Sequence, residues 1–436
     1  MPVRKLPMSR AAFLGLLAFA AVFAGLITLH GPLIALCIPF VLYWAYSIWR
    51  GPGHLNLSVE RVMASERAAP FEPVKVRVIV TNLGQRLEEL VLHDLVPSPL
   101  EVADGNTRHL ISLDRGASFN FEYEVSGPRG AYVLDRLRAE AGDHLGLLRL
   151  RAEVPTLGQL TVLPRFTRIR EVAIRPRRTR VYAGTIPARV GGSGVEFFGV
   201  RDYLPGDSPR HINWHQSARH AEHLYSDEFQ QERVADVAIV LDGRERSNLC
   251  GAAGSLFEHS VAAAASVADA LLHQGNRVGL LIYSQYLQWT FPGYGKVQRQ
   301  RILQALARSA TGASQVFEGL QYLPARLFPA ESQIILVSPL VEDDYSTLVQ
   351  LRARRFQVMV VSPDPVGFER RHLSAMPGPS SGDVDLSARI LGLERDLLLS
   401  RLRRAGIRVV EWDVRQPFDQ VTRRAFSRSV ALRDRL

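Results

Sequence analysis

Apolar and polar positions along this chain follow three different periods, and each marks a different kind of structure. Ala11 to Leu29 carries no charged residue and is rich in Ala, Leu and Phe, a run long enough to cross a hydrocarbon core as a helix. After a break at His30, Gly31 and Pro32, a second apolar run extends from Leu33 to Trp49, with Tyr43, Trp44, Tyr46 and Trp49 near its far end, as in an interfacial aromatic belt. A cleaved signal peptide would be followed by polar mature sequence, whereas here another apolar segment follows at once. Arg4, Lys5 and Arg10 precede the first run, Arg50 follows the second, and the connecting loop has neither Lys nor Arg. The pattern therefore predicts a transmembrane helical hairpin over residues 1–54, in contact with membrane lipid, with both ends and all later residues in the cytoplasm.

From Leu55 the period becomes two. Val74, Val76, Val78 and Val80 alternate with Lys75, Arg77 and Ile79, and Phe119, Phe121, Tyr123 and Val125 alternate with Asn120, Glu122 and Glu124. Turn signals at Asn82–Gly84 and Gly127–Gly130 close these runs, so residues 55–164 read as a β-sandwich that carries no assigned chemistry.

Beyond residue 234, strand and helix patterns alternate. Val237–Leu241 is an unbroken apolar run, as in a strand covered on both faces, and Ser255–His273 has helical spacing. Further strands are expected at Arg277–Tyr283, Gln333–Val337, Phe356–Val361 and Ile407–Trp412. Helices are expected at Val297–Arg308, Tyr345–Arg354, Leu391–Ala405 and Pro417–Arg433. That order predicts a doubly wound α/β domain over 234–436, which alone does not separate a type A domain from a nucleotide-binding fold.

Composition adds two constraints. The formal charge of +10 suits an anionic partner. Two cysteines, Cys37 and Cys250, make no disulfide framework. Arg175, Arg177, Arg178 and Arg180 cluster around Pro176 within the basic linker and signature segment, 165–233. They read equally as contacts to anionic lipid or as a solvated connector. Gly191–Gly194 and Gly295-Lys296 both fail as phosphate loops, the first for want of a following Lys-Ser/Thr and the second because Thr290 and Val297 occupy key positions.

The segment Arg201-Asp-Tyr-Leu-Pro-Gly-Asp207, continuing through Arg210, Ile212, Trp214 and Ser217-Ala-Arg219, closely resembles the signature of the bacterial family called domain of unknown function fifty-eight. Gly142–Arg149 resembles a second family stretch, with His144 and Leu145 replacing Pro and Phe. Arg201, Asp202, Asp207, Arg210 and Arg219 around Trp214 read either as a binding site for a partner's acidic or peptide groups or as a structural clasp. His211 and His215 have i, i+4 spacing near His220 and His223, but no Glu follows the first His and the cysteines are remote, so zinc is not expected.

The resemblance implies a C-terminal von Willebrand factor type A-like domain. Such domains hold a divalent ion on an Asp-x-Ser-x-Ser motif with a Thr and a second Asp, hard oxygen ligands of the kind Mg2+ requires. Here Asp242 holds the first position, but Arg244 and Arg246 replace the two serines, Ser338-Pro339 stands where Ser-Asp is common, and Thr311 is the candidate threonine. Two guanidinium groups repel a cation, and an arginine is able to fill the vacant position itself. The site is therefore expected to be degenerate, with no cofactor and with Mg2+ disfavoured, while Arg244 and Arg246 offer charge to acidic groups.

The resemblance also implies partnership with a MoxR-type AAA+ ATPase in the assembly or activation of other proteins, on the bacterial inner membrane. The chain is expected to be a membrane-anchored binding scaffold or adaptor, not an enzyme, because no nucleophile elbow, His-Glu-x-x-His, Walker or paired-cysteine motif is present. The alternatives are an enzyme built on the Arg/Asp signature cluster and an anionic-lipid or nucleic-acid binder. Nucleic acid is not expected, because Arg423, Arg424 and Arg428 lack interleaved aromatic residues.

Overall fold

The computed structural model of the chain describes residues 10–29, 31–50, 54–142, 149–169, 172–174, 179–219, 223–251, 254–314, 316–374 and 381–427. Arg175–Arg178, His220, His144, Leu145 and Arg428, all singled out above, lie outside them. The chain divides into two compact units, Met1–Leu163 and Pro164–Leu436.

The first unit opens with α1 (Arg10–Thr28), α2 (Gly31–Ala35) and α3 (Ile38–Arg50). The second apolar run is thus two helices, separated by a turn at Leu36 and Cys37. Pro39 explains the break: its ring clashes with the carbonyl four residues back, at Ala35, and it has no N–H to give. The 13 residues of α3 span roughly 20 Å and the 19 of α1 roughly 28 Å, against about 30 Å of hydrocarbon. No helix among the described residues is long and apolar enough to cross a membrane. This overturns the expected transmembrane hairpin, and with it the expected multi-pass placement in the inner membrane.

The rest of the first unit is two facing sheets. Its strands are β1 (Leu57–Met63), β2 (Arg67–Ala68), β3 (Val74–Asn82), β4 (Leu87–Asp94), β5 (Glu101–Gly105), β6 (Arg108–Leu113), β7 (Ser118–Ser126), β8 (Gly130–Gly142) and β9 (Arg149–Val162). One sheet runs β1-β3-β7-β5 and the other β2-β9-β8-β4-β6. The period-two pattern fills the space between them. Val74, Val76, Val78 and Val80 of β3 pack with Phe121, Tyr123 and Val125 of β7 against Leu90, Leu92, Leu134 and Leu137 of the other sheet. A buried polar cluster interrupts this core. Arg61 of β1 pairs with Asp94 of β4, Asp94 accepts from the Tyr123 hydroxyl at 2.6 Å, and Arg61 also donates to Thr156 O at 3.1 Å. Burial, reinforced by the Asp94 charge, pushes the Tyr123 phenol well above its ordinary pKa.

The second unit is built on one long strand. β10 (Thr179–Asp202) pairs antiparallel with β11 (Tyr225–Asp242) through several register shifts, so the segment read as a linker contains a ribbon. Between them lies α4 (Trp214–Ser217). The last residues of β11, Asp236–Asp242, become the centre of a parallel sheet. After β11 come the short pair β12 (Cys250–Gly251) and β13 (Gly254–Ser255), α5 (Leu256–His273), β14 (Arg277–Tyr283), β15 (Leu287–Gly293), α6 (Gly295–Arg308), β16 (Gln333–Val337), α7 (Asp344–Ala353), β17 (Gln357–Pro363), α8 (Pro365–Ser374), α9 (Ser381–Arg404), β18 (Arg408–Trp412) and α10 (Phe418–Ser427). The sheet order is β15-β14-β11-β16-β17-β18, with β10 paired to β11 off this path; β15 runs antiparallel to β14, as β10 does to β11. Val237–Leu241, Leu280–Ile282 and Ile334–Val337 are fully buried, as strands covered on both faces must be.

Candidate functional site

β11 delivers Asp242 to the carboxyl end of the sheet's central strand, the place where open α/β sheets build their sites. The chain then turns at Gly243. A Cβ there would stand 2.9 Å from the Ser284 Cβ and 3.2 Å from the Ala310 carbonyl oxygen, so only glycine lets this loop lie against its neighbours. Backbone bonds between Gly312 N and Gly243 O, 3.0 Å, and between Glu245 N and Gly312 O, 3.3 Å, fasten the two loops together.

This turn folds the Arg244 side chain back beneath the surface. Its Nε and Nη2 donate to Asp242 Oδ1 and Oδ2 at 2.9 and 2.8 Å. Nη1 and Nη2 donate to Asp344 Oδ1 and Oδ2 at 3.0 and 2.8 Å. Nη1 also reaches Glu318 O at 3.3 Å. One guanidinium therefore forks onto two carboxylates at once, a use of its planar donor set that a lysine has no means to reproduce. The Ser247 and Ser338 hydroxyls add bonds of 2.8 and 2.6 Å to Asp242 Oδ2, and Asn248 Nδ2 holds the carbonyls of Asp242 and Arg244 at 3.1 and 3.0 Å.

The cluster is buried, and its charge is unbalanced. The side chains of Asp242, Arg244 and Asp344 are 0%, 3% and 1% exposed. Burial pulls the Arg244 pKa down, but hydrogen bonds and charge from Asp242 and Asp344 outweigh it and hold the guanidinium firmly protonated. The Asp344 pKa is raised as well, which for an acid disfavours the charged form: burial raises it, and the second carboxylate adds to this against the pull of Arg244. One cation shared between two buried carboxylates leaves the second incompletely neutralised, so a firmly charged Arg244 and a raised Asp344 are compatible. Tyr283, whose hydroxyl donates to Gly319 O at 2.7 Å, is pushed up to about 12, chiefly by burial. The loop holding Asp344 is strained. Leu340 sits at φ 66°, and its N–H is held by Ser338 Oγ at 3.0 Å.

Above the cluster lies a cavity of about 270 Å3 bounded by Arg244, Arg246, Ser314, Phe317 and Glu318. A second, of about 580 Å3, shares Arg246 and Glu318 and reaches Tyr322, Asp343, Tyr345 and Arg401. Arg246 is partly exposed and 3.5 Å from Asp343. Of the residues expected here, the structure thus separates the two arginines: Arg244 is buried in the floor of the first cavity, and Arg246 is partly exposed and borders both. Thr311 is exposed and takes no part in the hydrogen bonds described around Asp242. Asp344 and Ser247 escaped the sequence reading. The one signal for Asp344 was the acidic run Glu342-Asp343-Asp344 before a helix, a feature equally typical of a helix start. Among the described residues no group of His, Cys, Asp and Glu arranged to hold a metal ion is found.

The signature segment forms at the far end of the β10–β11 ribbon. Arg201 grips Asp207 through two bonds of 2.7 Å and lies 3.7 Å from Glu228. Asp207 also accepts from Leu204 N at 2.9 Å, closing the Pro205-Gly206 turn, and its hydrogen bond from Arg201 depresses its pKa. Asn213 caps α4 by accepting from Gln216 N at 2.8 Å and donates to Asp227 at 2.6 Å. Asp202, Arg210, Trp214 and Arg219 are exposed, Trp214 by 67%. The structure therefore joins Arg201 to Asp207, with Glu228 as an acid not foreseen, and does not gather the others around Trp214. His211, His215 and His223 are likewise exposed.

Residues 199–369, from the end of β10 to α8 and so without β18, match the family described as Protein of unknown function DUF58. The chain is also similar to the uncharacterized protein YeaD of Bacillus subtilis (strain 168), 27% identical over 195 residues, which cover 44% of this chain and 46% of that protein. The chain thus spans about half the length of the curated relative it matches. Solved structures give slighter likenesses. A CARDB domain from Pyrococcus furiosus is 15% identical and covers 26% of this chain and 90% of that one, at a TM-score of 0.18. A FixG-related protein from Vibrio parahaemolyticus is 9% identical and covers 24% and 95%, at 0.17. Neither likeness carries an argument here.

Proposed function

We propose that this protein is a non-catalytic binding scaffold or adaptor whose recognition face is the carboxyl end of the parallel sheet, with Arg244 in the role a divalent ion has in a von Willebrand factor type A domain. One observation carries this reading: the Arg244 guanidinium sits between Asp242 and Asp344, with the Ser247 and Ser338 hydroxyls on the same carboxylate. Oxygens from three separate loops converge on one cationic group, and that group is covalently part of the chain. The central position of β11, with its carboxyl end at Asp242, is the position such a reading requires. A built-in cation makes the face permanently assembled and independent of free Mg2+. Arg246, Phe317 and Tyr345 then line the cavities that a partner's side chains enter. Following the family resemblance, the partner is a MoxR-type AAA+ ATPase, which supplies the energy for assembling or activating a third protein.

The test is affinity capture on the full chain. A MoxR-type ATPase should bind the wild type in EDTA as well as in Mg2+, and Arg246→Glu with Phe317→Ala should abolish its recovery. Absence of any ATPase with wild type, or capture that needs Mg2+ at this site, would refute the reading.

A further inference from the structure

The antiparallel edge strand of the sheet, β15, carries a second surface that does not depend on the Asp242 cluster. β15 ends the sheet order, with β14 on one side and no strand paired to its other side among the described residues. A cavity of about 390 Å3 is bounded there by Gln288, Trp289, Thr290 and Phe291 together with Arg301 and Arg308 of α6. The cavity meets four successive strand residues, at the register shift between β15 and β14, and so borders the strand's unpaired side as well as α6. Arg301 and Arg308 are two helical turns apart on one side of α6 and border the same cavity. No acidic residue lines it, both arginines are exposed, and among the described residues neither makes an ion pair. Phe291 is 75% exposed, an unusual position for so large an apolar group on an edge strand.

The groove is fixed in place before anything enters it. Gln298 of α6 donates to Phe291 O at 2.7 Å and to Val278 O at 2.8 Å, which ties the helix to both β15 and β14. Trp289 packs edge-on against Phe328, with ring centroids 5.6 Å apart, and anchors the strand from its other face. Sulfate-like or nucleotide ligands would leave the strand's unpaired side unused, apart from Phe291 O, which Gln298 already holds. An extended peptide satisfies that side, and acidic side chains on that peptide would meet the two guanidinium groups.

We propose that the outer edge of β15 accepts an extended acidic segment of a partner protein as an added strand, with Arg301 and Arg308 reading its carboxylates and Phe291 covering its apolar positions. The probe is a fluorescently labelled peptide of alternating glutamate and valine, titrated against the full chain, with the lysine–valine peptide as its counterpart. Saturable anisotropy change is expected with the glutamate peptide, weakened by about tenfold in Arg301→Glu/Arg308→Glu, a surface variant that leaves the circular dichroism unchanged. Amides of Leu287–Gly293 should gain hydrogen-exchange protection in the complex. Equal binding of the two peptides, binding undiminished in the double variant, or protection absent from β15 would each overturn the proposal. So would tighter binding of an oligothymidylate at the same residues, or protection that rises with protein concentration alone, which would make the occupant a nucleic acid or a second copy of this chain. Arg246→Glu should leave the peptide titration unchanged, so failure here is separable from failure at the Asp242 face.

Discussion

Arg244 Nη2 lies 2.8 Å from Asp344 Oδ2, one hundred positions further along the chain, and 2.8 Å from Asp242 Oδ2, two positions behind it. A single side chain therefore holds the end of β11 to the start of α7. Removing either of its partners leaves charge buried without compensation. Asp344→Ala and Arg244→Ala are each expected to lose roughly 3–5 kcal/mol of stability in denaturant titration. Arg244→Lys should recover little of it, because an ammonium group has no fork to span two carboxylates. A loss under about 1 kcal/mol in Arg244→Ala would show that the cluster is not a structural keystone.

With Arg244 shortened to serine, the oxygens of Asp242, Ser247, Ser338 and Asp344 face a space the guanidinium no longer fills. Oxygen ligands of that kind take Mg2+ or Mn2+ with water completing the shell. The Tm of Arg244→Ser is expected to rise by several degrees in excess Mg2+, through mass action, while that of wild type stays the same in Mg2+ and in EDTA. Stoichiometric Mn2+ binding by wild type that disappears in Asp242→Ala would defeat the idea of a resident arginine.

Asp344 gives the face a defined pH response. Its pKa in the folded state is raised by burial, so the folded protein holds this proton more tightly than the unfolded chain. The associated stability is present at acid pH, below the unfolded value, and is lost as pH rises through the raised folded value. Carboxyl-carbon NMR of selectively labelled protein should place Asp344 above the ordinary aspartate range. Titration at or below that range would mean that Arg244 dominates both carboxylates.

In the sandwich, Asp94→Asn is expected to destabilise the first unit by roughly 3–5 kcal/mol, since Arg61 would be left buried and half-paired. A paired replacement by apolar residues of similar size, Arg61→Met with Asp94→Leu, should recover most of the loss. If the double variant is no better than the single one, the group fixes sheet pairing and not only charge balance.

At the ribbon's tip, Arg201→Ala should leave global stability nearly unchanged, because the Arg201–Asp207 pair is partly exposed and screened. Its effect is expected instead in local order: backbone amides around Leu204–Asp207 should exchange faster while those of β14 and β16 do not. Global destabilisation would mark the signature as a folding clasp for the whole second unit.

Much of this architecture was present in local pattern. The alternation in Val74–Val80 dictates a half-buried strand, and the unbroken run Val237–Leu241 dictates one covered on both faces, because period and burial are linked residue by residue. Asp242 was recognisable from its place after that run. Other features depended on context that no local window contains. The apolar stretch Leu33–Trp49 has the composition of a spanning helix, yet Pro39 divides it and the helices fall short. β15 escaped notice because Gln288, Thr290 and Pro292 interrupt its apolar pattern, as they do on an edge strand exposed to water. Arg244 and Arg246 are two residues apart and chemically identical, so sequence assigned them one shared role. Only the fold separates them: the turn at Gly243 buries the first between Asp242 and Asp344 and leaves the second beside the cavity. Local sequence decided which segments become strands and helices, since backbone propensity and burial period are short-range. The tertiary structure alone decided which charges meet, because the energy of a buried ion pair depends on distance and desolvation, and these exist only once the chain has folded.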